Sequence, residues 1–466
     1  VRVIFDPEGS MAPTFEPLGV DLAFTTGIMG RSMLDDDYFK ALDHAREAGV
    51  AVEFELAPLE NTDHPNGMLI EAEGAQGKGI RTVAEAVGGG GLRFARLDDW
   101  VVDLDGKAHE ILVEVEAAYE TEVADGWDGA SRQRNDGLVL FKLSSAERAS
   151  STSIAALRDL PGVIRVRSTA AVFFVRRGDP IFESAAEMVA AAQDRDHSLG
   201  EMALVSESEL LGMSVADVVV EMLHRYEVME RSVASGLDDR QSDMLLLAPT
   251  ASSVLAAESQ SKLAVGGVHT RAAAKALAVM HHCNSRGVVC AAPTGGSAGT
   301  LPGVILSLAE EKGLSRQRIA LALFAASAVG LIVANRATFA AEIAGCQVEI
   351  GVAGAMAAAA VVEVAGGSAS QAVDAAAISL QNTMGSPCDP VAGTCEVPCH
   401  TRNAIAASSA FTCADLILGG YHNPIPLDET IDASYAVGKA LPSELRCTAK
   451  GGCAVTPSAR VLPRLR

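Results

Sequence analysis

Three cysteines lie within twelve residues late in the chain, in the segment CDPVAGTCEVPC at 388–399. Asp, Gly and two prolines stand between them, and these residues favour turns, so we expect a loop that presents its thiols to one centre. A second cysteine-bearing segment, GCQVE, lies upstream at 345–349. All nine cysteines follow residue 282, and a disulfide framework is rarely so uneven. The pattern therefore favours a metal or cluster in a reducing compartment over disulfides.

Both segments are similar to motifs of the iron–sulfur-dependent L-serine dehydratases, also called L-serine ammonia-lyases. The pattern CDPVAG-x-x-x-VPC matches 388–399, and Gly-Cys-Gln-x-Glu matches 345–349. The resemblance covers most of residues 200–458 and, more weakly, residues 1–100. It implies conversion of L-serine to pyruvate and ammonia with a [4Fe-4S] cluster. The cluster ligands that it implies are Cys346, Cys388 and Cys399, with Cys453 as a fourth or nearby thiol.

The same resemblance implies a set of substrate residues. An HPN motif matches the family and makes His64 the best candidate for the catalytic base, with Asn66 at the substrate. In the AAPTGGSAG loop, Thr294 and Ser297 offer hydroxyls, and free backbone N–H groups at the start of the next helix are a natural seat for a carboxylate. The remaining substrate-binding residues that the resemblance implies are Gln347, Arg402 and Asn403.

A cluster with three protein ligands suits dehydration better than electron transfer, which normally uses four. The open iron can act as a Lewis acid on the hydroxyl that leaves, and no redox change is needed. Glu342 stands one place earlier than the acid of the family pattern, so a cluster-dependent lyase for threonine or cysteine remains an alternative. A further alternative, from another class, is a non-catalytic cluster subunit that needs a partner chain.

The charge of the chain excludes several classes of partner. With 37 Lys and Arg against 59 Asp and Glu, the net charge is −22, which argues against nucleic acid and anionic membranes. The longest apolar run, 319–334, is shorter than the ~20 residues that span a bilayer, so we expect a buried helix there. We therefore expect a cytoplasmic enzyme that acts on a small amino acid. A homodimer is the common assembly for enzymes of this size.

The order of strand-like and helix-like segments predicts an α+β N-terminal region followed by a large all-α catalytic domain. The chain opens without Met on a strand-like VRVIF, so we expect it to begin inside a longer gene product. HEILVEVE and GLVLFKL read as strands of a small ferredoxin-like domain that resembles the ACT type. The predicted boundaries are 1–108 for a partial beta-type dehydratase domain, 109–192 for the ferredoxin-like domain and 198–458 for the helical iron–sulfur domain.

Overall fold

The computed structural model describes residues 1–465 apart from residues 36, 61, 63, 78, 125, 126 and 128. Ten strands in two sheets occupy the described part of the first 169 residues, and the described residues from 185 onward form helices joined by turns and loops. The predicted fold class, an α+β region followed by a large all-α domain, is therefore confirmed. The predicted domain boundaries stay predictions.

The first sheet has six strands in the order β2-β1-β3-β4-β5-β6, with β1 and β2 parallel and the other pairs antiparallel. Val3, Phe5 and Met68 are buried on one face, where Phe5 packs against the rings of Phe15 and Phe54. The elements of this region are β1 (Arg2–Phe5), α1 (Met11–Thr14), α2 (Val20–Ile28), α3 (Ala41–Glu47), β2 (Glu53–Leu56), β3 (Gly67–Glu73), β4 (Gly79–Gly88), β5 (Gly91–Leu97) and β6 (Trp100–Leu104).

The second sheet has four antiparallel strands in the order β10-β7-β9-β8. Its element order, strand-helix-strand-strand-helix-strand, is that of ferredoxin-like folds. Side chains alternate between two cores: Val113 and Phe141 face the helix side, while Leu112 and Leu140 pack against Trp100 of the first sheet. The elements are β7 (His109–Glu116), α4 (Glu120–Ala124), β8 (Ser131–Asn135), β9 (Leu138–Ser145), α5 (Ser151–Arg158) and β10 (Val163–Thr169).

The helical domain is built around α14, which is buried from Ile350 to Val364. Its sequence is rich in Ala and Gly, and small side chains let α11, α12, α15 and α16 pack closely around it. The helices are α6 (Ala185–Asp194), α7 (Leu199–Leu211), α8 (Val215–Leu237), α9 (Ala251–Ser259), α10 (Val268–Asn284), α11 (Thr300–Lys312), α12 (Arg316–Arg336), α13 (Ala341–Ala344), α14 (Ile350–Ala365), α15 (Ala369–Gln381), α16 (Cys399–Leu418), α17 (Leu427–Ala440) and α18 (Pro457–Arg460).

Two segments of the described chain, Arg316–Arg336 and Cys346–Ala365, are long and apolar enough to cross a membrane by length and composition. The protein itself covers 67% of the apolar window in the first and 89% in the second. Both therefore act as core helices of the helical domain, and the predicted buried helix at 319–334 lies within α12.

The N-terminal region docks against the helical domain at two points, one in the first sheet and one in α1. In the β4–β5 turn, a Cβ atom on Gly88 would lie 2.6 Å from the backbone N of Ala340. At the second point, a Cβ atom on Gly393 would lie 2.0 Å from the carbonyl oxygen of Pro13 in α1. Both glycines have positive φ, 87° and 74°, so each position needs glycine for its conformation and for close approach.

Candidate functional site

Cys346, Cys388 and Cys399 come together at the N-terminal ends of the central helices. Cys346 opens the short turn before α14, and Cys399 is the first residue of α16. Cys388 is fixed by backbone hydrogen bonds to the C-terminal segment: its N–H donates to the Leu445 carbonyl at 2.8 Å, and its carbonyl accepts from Cys447 at 2.8 Å. The three side chains are buried, with 2 to 5% of their surface exposed, and none forms a disulfide.

The charge of one of these thiols affects the pKa of another, so the three lie in one pocket. Burial raises the pKa of Cys346 well above its usual value, and the nearby Glu349 and Cys399 raise it further. The pKa of Cys388 is raised well above its usual value by a hydrogen bond with Cys447 and by burial. We call Cys346, Cys388, Cys399, Glu349 and Arg402 the thiol pocket.

The donors of the thiol pocket are of the kind that iron–sulfur clusters use. Within the described residues, no group of three or more His, Cys, Asp or Glu is close enough to hold one metal ion. A cluster bonds each cysteine through a different iron, so its ligands need not converge on one point. Three buried thiols from separate elements supply the soft donors that iron–sulfur clusters use, and the Arg402 guanidinium beside Cys346 would offset thiolate charge.

Arg402, predicted to bind substrate, lies against the cysteine loop. Its guanidinium pairs with the buried Asp389 carboxylate at 2.9 Å and donates to the Pro387 carbonyl at 2.7 Å. The other Asp389 oxygen accepts from the backbone N–H of Cys453 at 2.7 Å. Asp389 therefore ties the C-terminal segment, with Cys453, to the residue next to Cys388.

Asn403, also predicted to bind substrate, joins two loops of the site. It is fully buried, and its Oδ1 accepts from the backbone N–H groups of Gly299 and Thr300 at 3.1 Å. Its Nδ2 donates to the carbonyls of Gly296 at 2.8 Å and Cys399 at 3.0 Å. The amide is thus occupied by the protein, and it holds the glycine-rich loop onto the start of α16.

Two further buried side chains position loops in the same way. Gln347 donates to the Ala344 carbonyl at 2.8 Å and accepts from the Gly385 N–H at 2.7 Å, and its substrate contact stays a prediction. Glu396 accepts three backbone N–H groups from residues 245–247 at 2.7 to 2.9 Å. Together they anchor both cysteine-bearing segments to the surrounding backbone.

Thr294 and Ser297 lie where the sequence places them, at the turn before α11. Their hydroxyl oxygens are 3.0 Å apart, and Thr294 also hydrogen-bonds Glu349. Glu349 lies 3.9 Å from Cys388 Sγ. Burial raises the pKa of Glu349 to about 7, and the negative charge of Glu342 adds to this shift while the Thr294 hydrogen bond opposes it.

The HPN turn brings the first sheet to this pocket. The Asn66 side chain hydrogen-bonds both Ser10 and the carboxyl of Glu342. Burial raises the pKa of Glu342 to about 7, although the Asn66 hydrogen bond opposes the shift. Two carboxyl groups that can exchange a proton near neutral pH, Glu342 and Glu349, therefore lie near enough for the charge of one to raise the pKa of the other.

His64 is held in a defined protonation state. Its Nδ1 accepts the backbone N–H of Asn66 at 3.1 Å, and burial lowers the pKa of the ring. The imidazole is therefore neutral at pH 7, and the geometry assigns its proton to Nε2. In this tautomer Nε2 presents a hydrogen-bond donor, and the role of His64 as the catalytic base stays a prediction.

The structure also identifies residues that the sequence reasoning missed as site residues. Glu349 closes the Gly-Cys-Gln-x-Glu motif, and this carboxyl three residues after a candidate ligand was the available signal. The contact of Asn66 with Glu342 and that of Cys447 with Cys388 join residues far apart in sequence. No local sequence pattern predicts either contact.

Comparison with known proteins places this site in context. A family model described as "Serine dehydratase alpha chain" matches residues 142–454. The chain is 38% identical over 284 residues to "Probable L-serine dehydratase, alpha chain" of Bacillus subtilis (strain 168), a match that covers 61% of this chain and 95% of the relative.

Two other L-serine dehydratases match the chain over 174 and 287 residues. A "Probable L-serine dehydratase, alpha chain" of Latilactobacillus sakei is 49% identical over 174 residues, which is 37% of this chain and 83% of the relative. "L-serine dehydratase 1" of Escherichia coli (strain K12) is 32% identical over 287 residues, which is 59% of this chain and 62% of the relative. All three relatives are named as L-serine dehydratases.

Proposed function

The chain belongs to the serine dehydratase alpha chain family, and we propose that it converts L-serine to pyruvate and ammonia in the cytoplasm. The observation that carries this proposal is the thiol pocket. Three buried cysteines from separate elements meet beside two carboxyl groups whose pKa is about 7. Nine free cysteines suit a reducing compartment. A homodimer stays a prediction.

Cys346, Cys388 and Cys399 would hold a [4Fe-4S] cluster. When bound through three thiolates, such a cluster supplies Lewis-acid polarisation of the bond to the hydroxyl that leaves. Arg402, paired with Asp389, offsets the negative charge that the thiolates bring into a buried site.

Proton removal from Cα is assigned to Glu342. Its carboxyl is held by Asn66, and at a pKa of about 7 a large fraction is ionised at neutral pH and can accept the proton. His64, neutral with its proton on Nε2, orients the substrate by donating a hydrogen bond. Loss of the Cα proton and of hydroxide leaves aminoacrylate and water overall. Aminoacrylate becomes an imine, which water hydrolyses to pyruvate and ammonia.

The decisive experiment uses protein purified and reconstituted with iron and sulfide without oxygen. The visible absorption of an iron–sulfur centre and pyruvate release from L-serine are measured on one sample. We expect Cys388→Ala to lose both signals. Cys413→Ala, which removes a buried thiol in the core of the helical domain, is the matched control and should keep both.

Three outcomes separate the hypotheses. Pyruvate release from L-serine with the absorption band supports the proposed dehydratase. A 2-oxo acid product from L-threonine, or pyruvate from L-cysteine, at a higher rate than pyruvate from L-serine would replace the substrate. Absorption without product from any of these amino acids would favour a non-catalytic cluster subunit that needs a partner chain.

A further inference from the structure

A second cavity, separate from the thiol pocket, lies between α7, α8 and α12. Its volume is about 270 Å³, just below the roughly 300 to 1,000 Å³ of pockets that hold drug-sized ligands. We call it the apolar chamber, after the side chains of its inner wall. Thioether side chains adapt to the shape of an apolar group. The inner wall includes Met222, Met229, Leu323, Phe324 and Met356.

The apolar chamber opens into a wider cleft of about 780 Å³ between the helical domain and the first sheet. Glu207 and Arg225 line both cavities, so a carboxyl and a guanidinium stand together at the mouth. Arg225 donates through Nη1 to the Glu221 carbonyl at 2.6 Å and to the Glu221 carboxylate at 3.3 Å, whereas its Nε and Nη2 donate no hydrogen bond within the described part of the chain. The mouth thus offers both signs of charge beside an apolar interior.

Glu207 lacks the partner that a half-buried carboxyl needs. Among the described residues, no donor hydrogen-bonds its carboxylate, and burial raises its pKa although Arg176 and Arg225 oppose the shift. A partly desolvated carboxylate without a donor is unfavourable. An ammonium group entering from the cleft would supply the hydrogen-bond donors that Arg176 and Arg225 do not.

We propose that the apolar chamber and its mouth bind a free L-amino acid with an apolar side chain. The α-ammonium would pair with Glu207, the α-carboxylate would pair with Arg225, and the side chain would enter the apolar chamber. L-serine fits this arrangement poorly, because its hydroxymethyl group would leave the apolar wall uncovered and its hydroxyl without a partner. The site is therefore distinct from the thiol pocket, which this inference does not require.

L-methionine is a suitable probe, titrated into the full chain by calorimetry. We expect saturable binding of one molecule per chain. Two analogues each lack one charged end: 4-(methylthio)butyrate has no ammonium, and 3-(methylthio)propylamine has no carboxylate. Each should bind at least tenfold more weakly, since each leaves one of the two charged groups at the mouth unpaired.

Variants assign the binding to this cavity. Glu207→Gln should weaken L-methionine at least tenfold and leave 4-(methylthio)butyrate unchanged. Glu209→Gln on the same helix is the matched control and should leave L-methionine binding unchanged, because Glu209 is exposed and pairs with Arg195. Cys388→Ala should also bind L-methionine like the parent, so the result does not depend on whether the proposed dehydratase activity is correct.

Several results would overturn the inference. They are the absence of saturable heat with L-methionine and the other apolar amino acids, displacement of L-methionine by L-serine at equal concentration, and equal affinity for the analogue without a carboxylate. Unchanged L-methionine affinity in Glu207→Gln would overturn it as well.

Discussion

The two halves of the candidate site are held in different ways. In the helical half, buried side chains such as Asn403 and Glu396 bond to backbone groups and fix the cysteine-bearing loops. In the sheet half, the HPN turn reaches the pocket through the contact of Asn66 with Glu342, and two close glycine contacts dock the domains. The helical half is thus positioned within its own domain, whereas the sheet half depends on docking between domains. Cluster binding and turnover should therefore be separable.

The largest expected effect is on turnover, from Glu342→Gln. General-base catalysis contributes roughly 10²- to 10⁴-fold, so we expect a loss of that order with the cluster absorption retained. In the parent, kcat/KM should rise with pH through about 7, because burial raises the pKa of Glu342 to that value and only the ionised carboxyl accepts a proton. A rate that keeps the same pH profile in Glu342→Gln would place the base elsewhere.

A large effect on the helical half is expected from Asn403→Ala. The change leaves the buried N–H groups of Gly299 and Thr300 without their side-chain acceptor, and each costs about 1 to 3 kcal/mol. Urea unfolding followed by circular dichroism should show this loss, and the iron content after reconstitution should fall too. Asn335→Ala is the matched control: this exposed side chain has one hydrogen bond at 3.5 Å, and little change is expected. Equal stabilities would show that Asn403 does not hold the loops.

Docking of the sheet half is tested by Gly88→Ala against Gly90→Ala. Both glycines lie in the same turn with positive φ, 87° and 79°, so both variants carry backbone strain of about 1 kcal/mol or more. Only at Gly88 would the new Cβ meet Ala340 of the helical domain, and a Cβ on Gly90 meets nothing within 4 Å. We expect Gly88→Ala to lower pyruvate release several-fold further than Gly90→Ala while iron content stays equal. Matching rates in the two variants would mean that this contact does not position the site.

The sequence predicted the helical half better than the sheet half for a physical reason. Cys388, Cys399 and Arg402 lie within one short segment, so local motifs carry the family resemblance, which the family match confirms. The α+β and all-α division also followed from local strand and helix patterns. These features need no knowledge of which distant segments meet.

Contacts between residues far apart in the sequence could not be predicted from local patterns. The tautomer of His64 depends on a backbone N–H, and the pKa of Glu342 depends on burial against the docked sheet. The close approach of Gly88 to Ala340 appears only in three dimensions. The resemblance predicts that Asn403 and Gln347 bind substrate, and the hydrogen bonds of both amides to backbone groups of distant loops have no local sequence signal.

The most direct test of separable halves is a single measurement on Asn66→Ala. Iron content and pyruvate release from L-serine are determined on the same sample, reconstituted without oxygen. The Asn66 side chain hydrogen-bonds Ser10 and Glu342, and among the described residues no hydrogen bond joins it to the three cysteines. We therefore predict iron equal to that of the parent and pyruvate release reduced at least tenfold. Loss of iron together with pyruvate, or an unchanged rate, would contradict the division of the site into a cluster-holding half and a docked substrate half.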